Sequence, residues 1–99
     1  MQRGRSAVSV RDLLRAELVR SGDELRFRGD PERRAAVTAD GHIEFEGTDY
    51  TSPSTAAKAA NQGISTNGWL VWRLSHEGRS ATLSDLREAL LRATPYPKQ

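Results

Sequence analysis

The chain has no cysteine. Disulfides, thiol nucleophiles and thiolate zinc sites are therefore excluded. Its two histidines, His42 and His76, lie far apart and show no ligand spacing, so no metal is expected. No apolar run approaches the roughly 18 residues that span a bilayer. The opening "MQRGRSAVSV" is basic but lacks the apolar core of a secretory signal. The expected compartment is cytoplasmic, with no membrane partner. No glycine-rich phosphate loop or dinucleotide fingerprint is present, so no cofactor is expected.

Catalytic constellations are equally sparse. Acyl transfer needs a nucleophile beside an oriented base. Ser52 and Ser54 are the tempting hydroxyls, but helix capping accounts for both. His42 falls on the solvent side of a hairpin strand and His76 in a turn. Glu44 and Glu46 stand two apart on one strand and suit a polar outer face better than acid–base work. The chain is read as a non-enzyme.

What the chain has in quantity is arginine, which makes up thirteen of its fifteen basic residues. Net charge is only +2, yet it is unevenly spread. Residues 1–34 and 58–99 are each net basic, whereas residues 35–57 hold Asp40, Glu44, Glu46 and Asp49 and no basic residue. Arginine is the preferred partner of phosphates and base edges, so nucleic-acid binding is permitted, though charge alone does not demand it.

At 99 residues the chain is one domain, with loose tails over 1–8 and 95–99 around a folded region at 9–94. Ser9 and Asp12 form a capping box opening a helix, with Val10, Leu13, Leu14 and Leu18 on its apolar stripe and Gly22 ending it. "ELRFRG" alternates as a half-buried strand, "DPERR" reads as a turn, and "AAVTA" as a second strand. Asp40-Gly41 is a two-residue hairpin signal leading into "HIEFE", after which Asp49 to Thr51 is extended. Ser52 caps the next helix with Pro53 at its first position, and Gly63 stops it. "WLVWRL" alternates as a strand with Leu70, Trp72 and Leu74 inward. "SHEGRSA" reads as a turn, and Thr82 with Asp85 caps a last helix that ends at Thr94-Pro95. The expected fold is α+β: about four antiparallel strands, in the order α-β-β-β-α-β-α.

Binding features concentrate between residues 50 and 73. Ser52-Pro53-Ser54 sets free N–H groups and two hydroxyls at a helix start, which suits a phosphate, and Lys58 adds a cation one turn on. Asn67-Gly68 suits a left-handed turn, while the Asn67 amide has the donor and acceptor that read an adenine edge. Trp69 is a candidate stacking ring, and Trp72 reads as core. The plainer readings stand beside these: a cap, a turn and two core tryptophans.

The stretch "YTSPSTAAKAANQGISTNGWLVW", preceded by "DLLRAELVRSGDEL" and "AAVTADGHIEFEGTDY", resembles the restriction-enzyme and adenine-methylase-associated (RAMA) domain. It also resembles a similar Ser-Pro-Ser…Asn-Gly-Trp module of unassigned function. The likeness covers about residues 10 to 92. Many relatives have glycine where this chain has Glu17, which suggests a first helix running unbroken to Ser21. The resemblance implies a non-catalytic, DNA-associated module of restriction-modification systems, in some relatives a reader of adenine methylated on its exocyclic amine. The expected partners are DNA, in its sharper form adenine-methylated DNA, and a partner enzyme. Ser52, Ser54, Lys58, Arg26, Arg28 and Arg73 would then face phosphates, and Asn67 and Trp69 a base, with Tyr50 a second aromatic wall. The rival expectation is a protein adaptor docking an enzyme through a Trp-containing surface.

Overall fold

The computed structural model describes residues 8–76 and 78–93. The elements run α1 (Val10–Arg15), β1 (Glu24–Phe27), β2 (Asp30–Val37), β3 (Ile43–Phe45), β4 (Thr48–Tyr50), α2 (Pro53–Ala60), α3 (Gly68–Val71), β5 (Trp72–His76), β6 (Arg79–Thr82) and α4 (Leu83–Ala93). The expected tails lie outside the described residues except for Val8, as does the Thr94-Pro95 helix stop. The class is α+β as expected, but the antiparallel sheet has six strands rather than about four, in the order β4-β3-β2-β1-β5-β6.

Strand alternation divides the sheet into two faces. Leu25, Ala35, Val37, Ile43, Phe45, Trp72 and Leu74 point to one side and are buried with Val10 and Leu13 of α1, Ala56, Ala57 and Ala60 of α2, and Leu83 of α4. The helices therefore cover this inner face. Glu24, Arg26, Arg34, Glu44 and Asp49 point the other way and are exposed. The outer face carries no helix among the described residues. The alanines of α2 keep that helix thin enough to lie close over β3 and β4.

One strand, β6, escaped the sequence reading because it carries little apolar alternation. Three of the four β6 residues belong to "SHEGRSA", read as a turn, and the inward Ala81 faces Leu74 across the β5–β6 pair. The segment read as extended at Asp49 to Thr51 is β4, which spans only "TDY" one residue earlier. "DPERR" proved to be part of β2 rather than a turn. The hairpin turn is Arg28-Gly29, with Phe27 opposite Asp30, and the register then jumps so that Arg26 faces Arg34. Pro31, Glu32 and Arg33 thus bulge from the ladder. Arg33 secures the bulge: its Nε reaches Asp30 at 3.1 Å, its guanidinium lies 5.9 Å from the Phe27 ring centre, and Nη1 donates to the Ala60 carbonyl at the end of α2.

The first helix is also shorter than expected. The Ser9–Asp12 capping box is present. However, α1 stops at Arg15, and Glu17 adopts a left-handed φ of 63°. Leu18 N–H donates to Leu13 O at 2.9 Å and Glu17 N–H to Leu14 O at 3.0 Å, the paired bonds of a Schellman ending. The cause is Val19. On a continuing helix it would point about 180° away from Val10, into water. Reversing the chain at Glu17 buries it at 1% exposure. Gly22 does not end this helix; its N–H instead joins the Val37 carbonyl. Glutamate therefore holds, under strain, the conformation that glycine takes without cost. Glu17→Gly should raise unfolding stability by about 1 kcal/mol, seen as a higher urea midpoint at unchanged denaturant slope.

Candidate nucleic-acid interface

The Ser-Pro-Ser and Asn-Gly-Trp segments meet in space, and they meet chiefly to hold each other. Ser52 caps α2, its Oγ accepting from Thr55 N–H at 3.2 Å. Ser54 Oγ accepts the N–H of buried Gly68 at 3.0 Å. The Trp72 indole, 0% exposed, donates Nε1–H to the Pro53 carbonyl at 3.1 Å. Its ring packs edge-on to Phe27 with centres 5.4 Å apart, and lies 6.0 Å from Phe45. Gly68 passes so close to α2 that a Cβ there would strike the Pro53 carbonyl and sit 2.6 Å from Ser54 N. The backbone of α3 thereby lies over the start of α2, where a phosphate was expected.

Asn67-Gly68 forms no left-handed turn. Asn67 has φ −81° and caps α3, its Oδ1 accepting Trp69 N–H at 3.0 Å. That capped helix takes residues 69–71 out of the expected strand, which starts only at Trp72. Leu70, expected inward, is 47% exposed as a result. The two tryptophans then part: Trp72 enters the core, and Trp69 stays half-buried at the surface.

Trp69 is braced from one side. The Arg87 guanidinium of α4 lies 4.6 Å from its ring centre. Arg87 Nε is buried without a hydrogen-bond partner among the described residues, so the stacking contact is its main compensation. A recess of about 330 Å³ opens beside Trp69, walled by Val8, Val10 and Pro53 and rimmed by Thr51, Ser52 and His42. Asp49 holds the His42 ring, Oδ2 to Nδ1, at 3.0 Å. Tyr50 and Asn67 do not line the recess; Tyr50 packs against the core from β4. Lys58 is exposed in the last turn of α2.

The remaining expected residues lie on the other side of the molecule. Arg26 and Arg73 face each other across β1 and β5, and Arg26 also faces Arg34 across β1 and β2. Adjacent strands are about 4.8 Å apart, so three guanidiniums are ranked side by side on the helix-free face. Arg26 and Arg34 share Glu24, each at 3.5 Å, and Arg73 Nε donates to Ser80 Oγ at 3.2 Å. Arg28, at the hairpin turn, joins Arg26, Arg73, Ser75 and Ser80 around a shallow groove of about 260 Å³. The sheet therefore separates Arg26, Arg28 and Arg73 from Ser52, Ser54, Lys58, Asn67 and Trp69. Sequence reading missed Arg34 because its strand was taken for a turn. Nothing in the local pattern pointed to Arg87.

Among the described residues no group of three or more histidines and carboxylates is placed to hold a metal ion. No described helix is long and apolar enough to cross a membrane.

The inner contacts make a sharp stability prediction. Gly68→Ala must push α3 off α2 and should cost about 3 kcal/mol, at the upper end of overpacking losses. Ser54→Ala strands a buried N–H and should cost about 1–3 kcal/mol. Chemical denaturation of both variants measures the order; a Gly68→Ala protein as stable as the parent would refute the close-approach role.

A family model described as Restriction Enzyme Adenine Methylase Associated matches residues 1–95. No curated protein matches the chain at a significant level. With nearly its whole length matched by that model, the chain belongs to the RAMA family, a group named for its association with restriction enzymes and adenine methylases.

Proposed function

We propose that the protein is a non-catalytic DNA-binding module of a restriction or methylation system. The arginine row on the free sheet face carries this reading. Like charges set directly opposite across strands destabilise a sheet. Arg34, Arg26 and Arg73 are nonetheless aligned, with Glu24 paired to Arg26 and Arg34 and Arg73 bonded to the Ser80 hydroxyl. An anionic ligand offsets that repulsion, and phosphodiester backbone is the anion that fits a DNA-associated family.

The sharper form, recognition of adenine methylated on its exocyclic amine, rests on Trp69. A methylated amine is more apolar than a free one and suits an aromatic wall beside polar groups. Trp69 offers such a wall, braced by Arg87 and opening on a recess with apolar and polar sides. Since Trp69 and the arginine row lie on opposite faces, methyl recognition and backbone grip are separable by mutation.

One observation favours a second reading, an adaptor for a partner enzyme. Ile64 and Leu70, both in the segment joining α2 to β5, are the large hydrophobic residues left exposed among the described residues, at 60% and 47%.

Salt dependence separates the two. Four phosphate contacts through Arg26, Arg28, Arg34 and Arg73 give a log–log slope of affinity against salt of roughly −3 to −4. Fluorescence anisotropy on a short labelled duplex, across a salt series, should show this slope. Trp69→Ala should abolish any preference for the adenine-methylated duplex while leaving the slope in place. Duplex binding that is flat with salt, or absent, refutes the DNA reading and favours the adaptor.

A further inference from the structure

Resting on that DNA reading, we infer that the outer sheet face grips the sugar-phosphate backbone of a DNA duplex alone, indifferent to base sequence and adenine methylation, and that it selects duplex over single strand. Two cross-strand rows occupy this face. One row reads Arg34, Arg26, Arg73 and Thr82 across β2, β1, β5 and β6. The neighbouring row reads Asp49, Glu44, Ala36 and Glu24 across β4, β3, β2 and β1. Basic and acidic rows thus run side by side, both at right angles to the strands, with the acidic one displaced toward β4. A polyanion is held on the first and repelled by the second. Its backbone therefore runs across β2, β1 and β5 and stops short of β3 and β4.

The side chains available there decide what is read. Single-stranded nucleic acid is held by stacking bases on aromatic rings. The outward positions of these rows carry no aromatic residue; Phe45 and Trp72 are buried, Phe27 borders the groove but its ring is engaged by Trp72 and Arg33, and Tyr50 and Trp69 belong to the helical side. Base edges in a duplex are read by a helix or ribbon inserted into a groove. The face is a broad sheet with no element projecting from it among the described residues, and Ala36, Ser75, Ser80 and Gly29 keep its surface low. Two hydroxyls and the arginines around the 260 Å³ groove suit phosphate oxygens. Glu24 is the built-in restraint, since it neutralises two of the ranked guanidiniums.

The test uses the full chain in anisotropy titrations at low salt against three probes: a mixed-sequence duplex, the same duplex with methylated adenines, and one of its strands alone. Arg26→Gln/Arg73→Gln should weaken both duplexes by about tenfold or more, by the same factor, and lower the salt slope by about two. Glu24→Gln, which unmasks Arg26 and Arg34, should bind both duplexes about two- to threefold more tightly. The single strand should bind the parent protein more weakly than either duplex. Glu24 and Arg26 are exposed and Arg73 half-buried, and circular dichroism checks that both variants keep the fold. Unchanged duplex affinity in the double variant overturns the inference while leaving the DNA reading intact. So does a methylation preference that the double variant erases, or a single strand bound as tightly as the duplex. A parent protein that binds neither duplex overturns both.

Discussion

The structure depends on finding an acceptor for one buried N–H. A core this small gains much of its buried apolar area from a single indole, and an indole cannot be buried without a partner for its Nε1–H. The Pro53 carbonyl is that partner for Trp72. The bond brings the start of α2 against the start of β5, and the chain between them must fold back tightly. Ser54, Asn67 and Gly68 perform that return: one accepts a backbone N–H, one caps the intervening turn of helix, and one has no side chain to obstruct the approach. The Ser-Pro-Ser and Asn-Gly-Trp segments are therefore, in this chain, mainly a latch.

With those groups engaged internally, the surface left for function divides into two. The helical side presents Trp69, held by Arg87 beside a recess. The outer sheet side presents ranked arginines bounded by carboxylates. The separation follows from two-layer architecture: the large apolar residues of the strands face the helices, so Glu24, Arg26, Arg34, Glu44, Asp49 and Arg73 fall on the other side. Glu44 and Asp49, which look like part of an isolated acidic block in the sequence, are folded into a lateral boundary of the arginine row.

Several elements were legible because their causes are local. Capping boxes at Ser9–Asp12 and Thr82–Asp85, the cap and proline opening α2, and the alternation of β1 and β3 are each set by residues within a few positions of one another. Where the reading failed, a distant contact overrode the local pattern. Glu17 takes a left-handed backbone because Val19 belongs in the core. Residues 69–71 leave the strand pattern because Asn67 and Ser54 together favour a helical turn. β6 carries almost no pattern of its own and exists because β5 offers it an edge. Of the candidate site, the residue types were readable and their grouping was not.

The sequence by itself determined the family, the α+β class, the positions of most caps and turns, and the supply of arginine. These follow from short-range chemistry and composition. Only the tertiary structure decided which serine is a cap and which a clasp, which tryptophan is hidden, and that the arginines and Trp69 lie on opposite faces. Those outcomes depend on strand order and register, which bring Arg34, Arg26 and Arg73 together from three separate segments. Spacing along one chain carries no record of such an alignment.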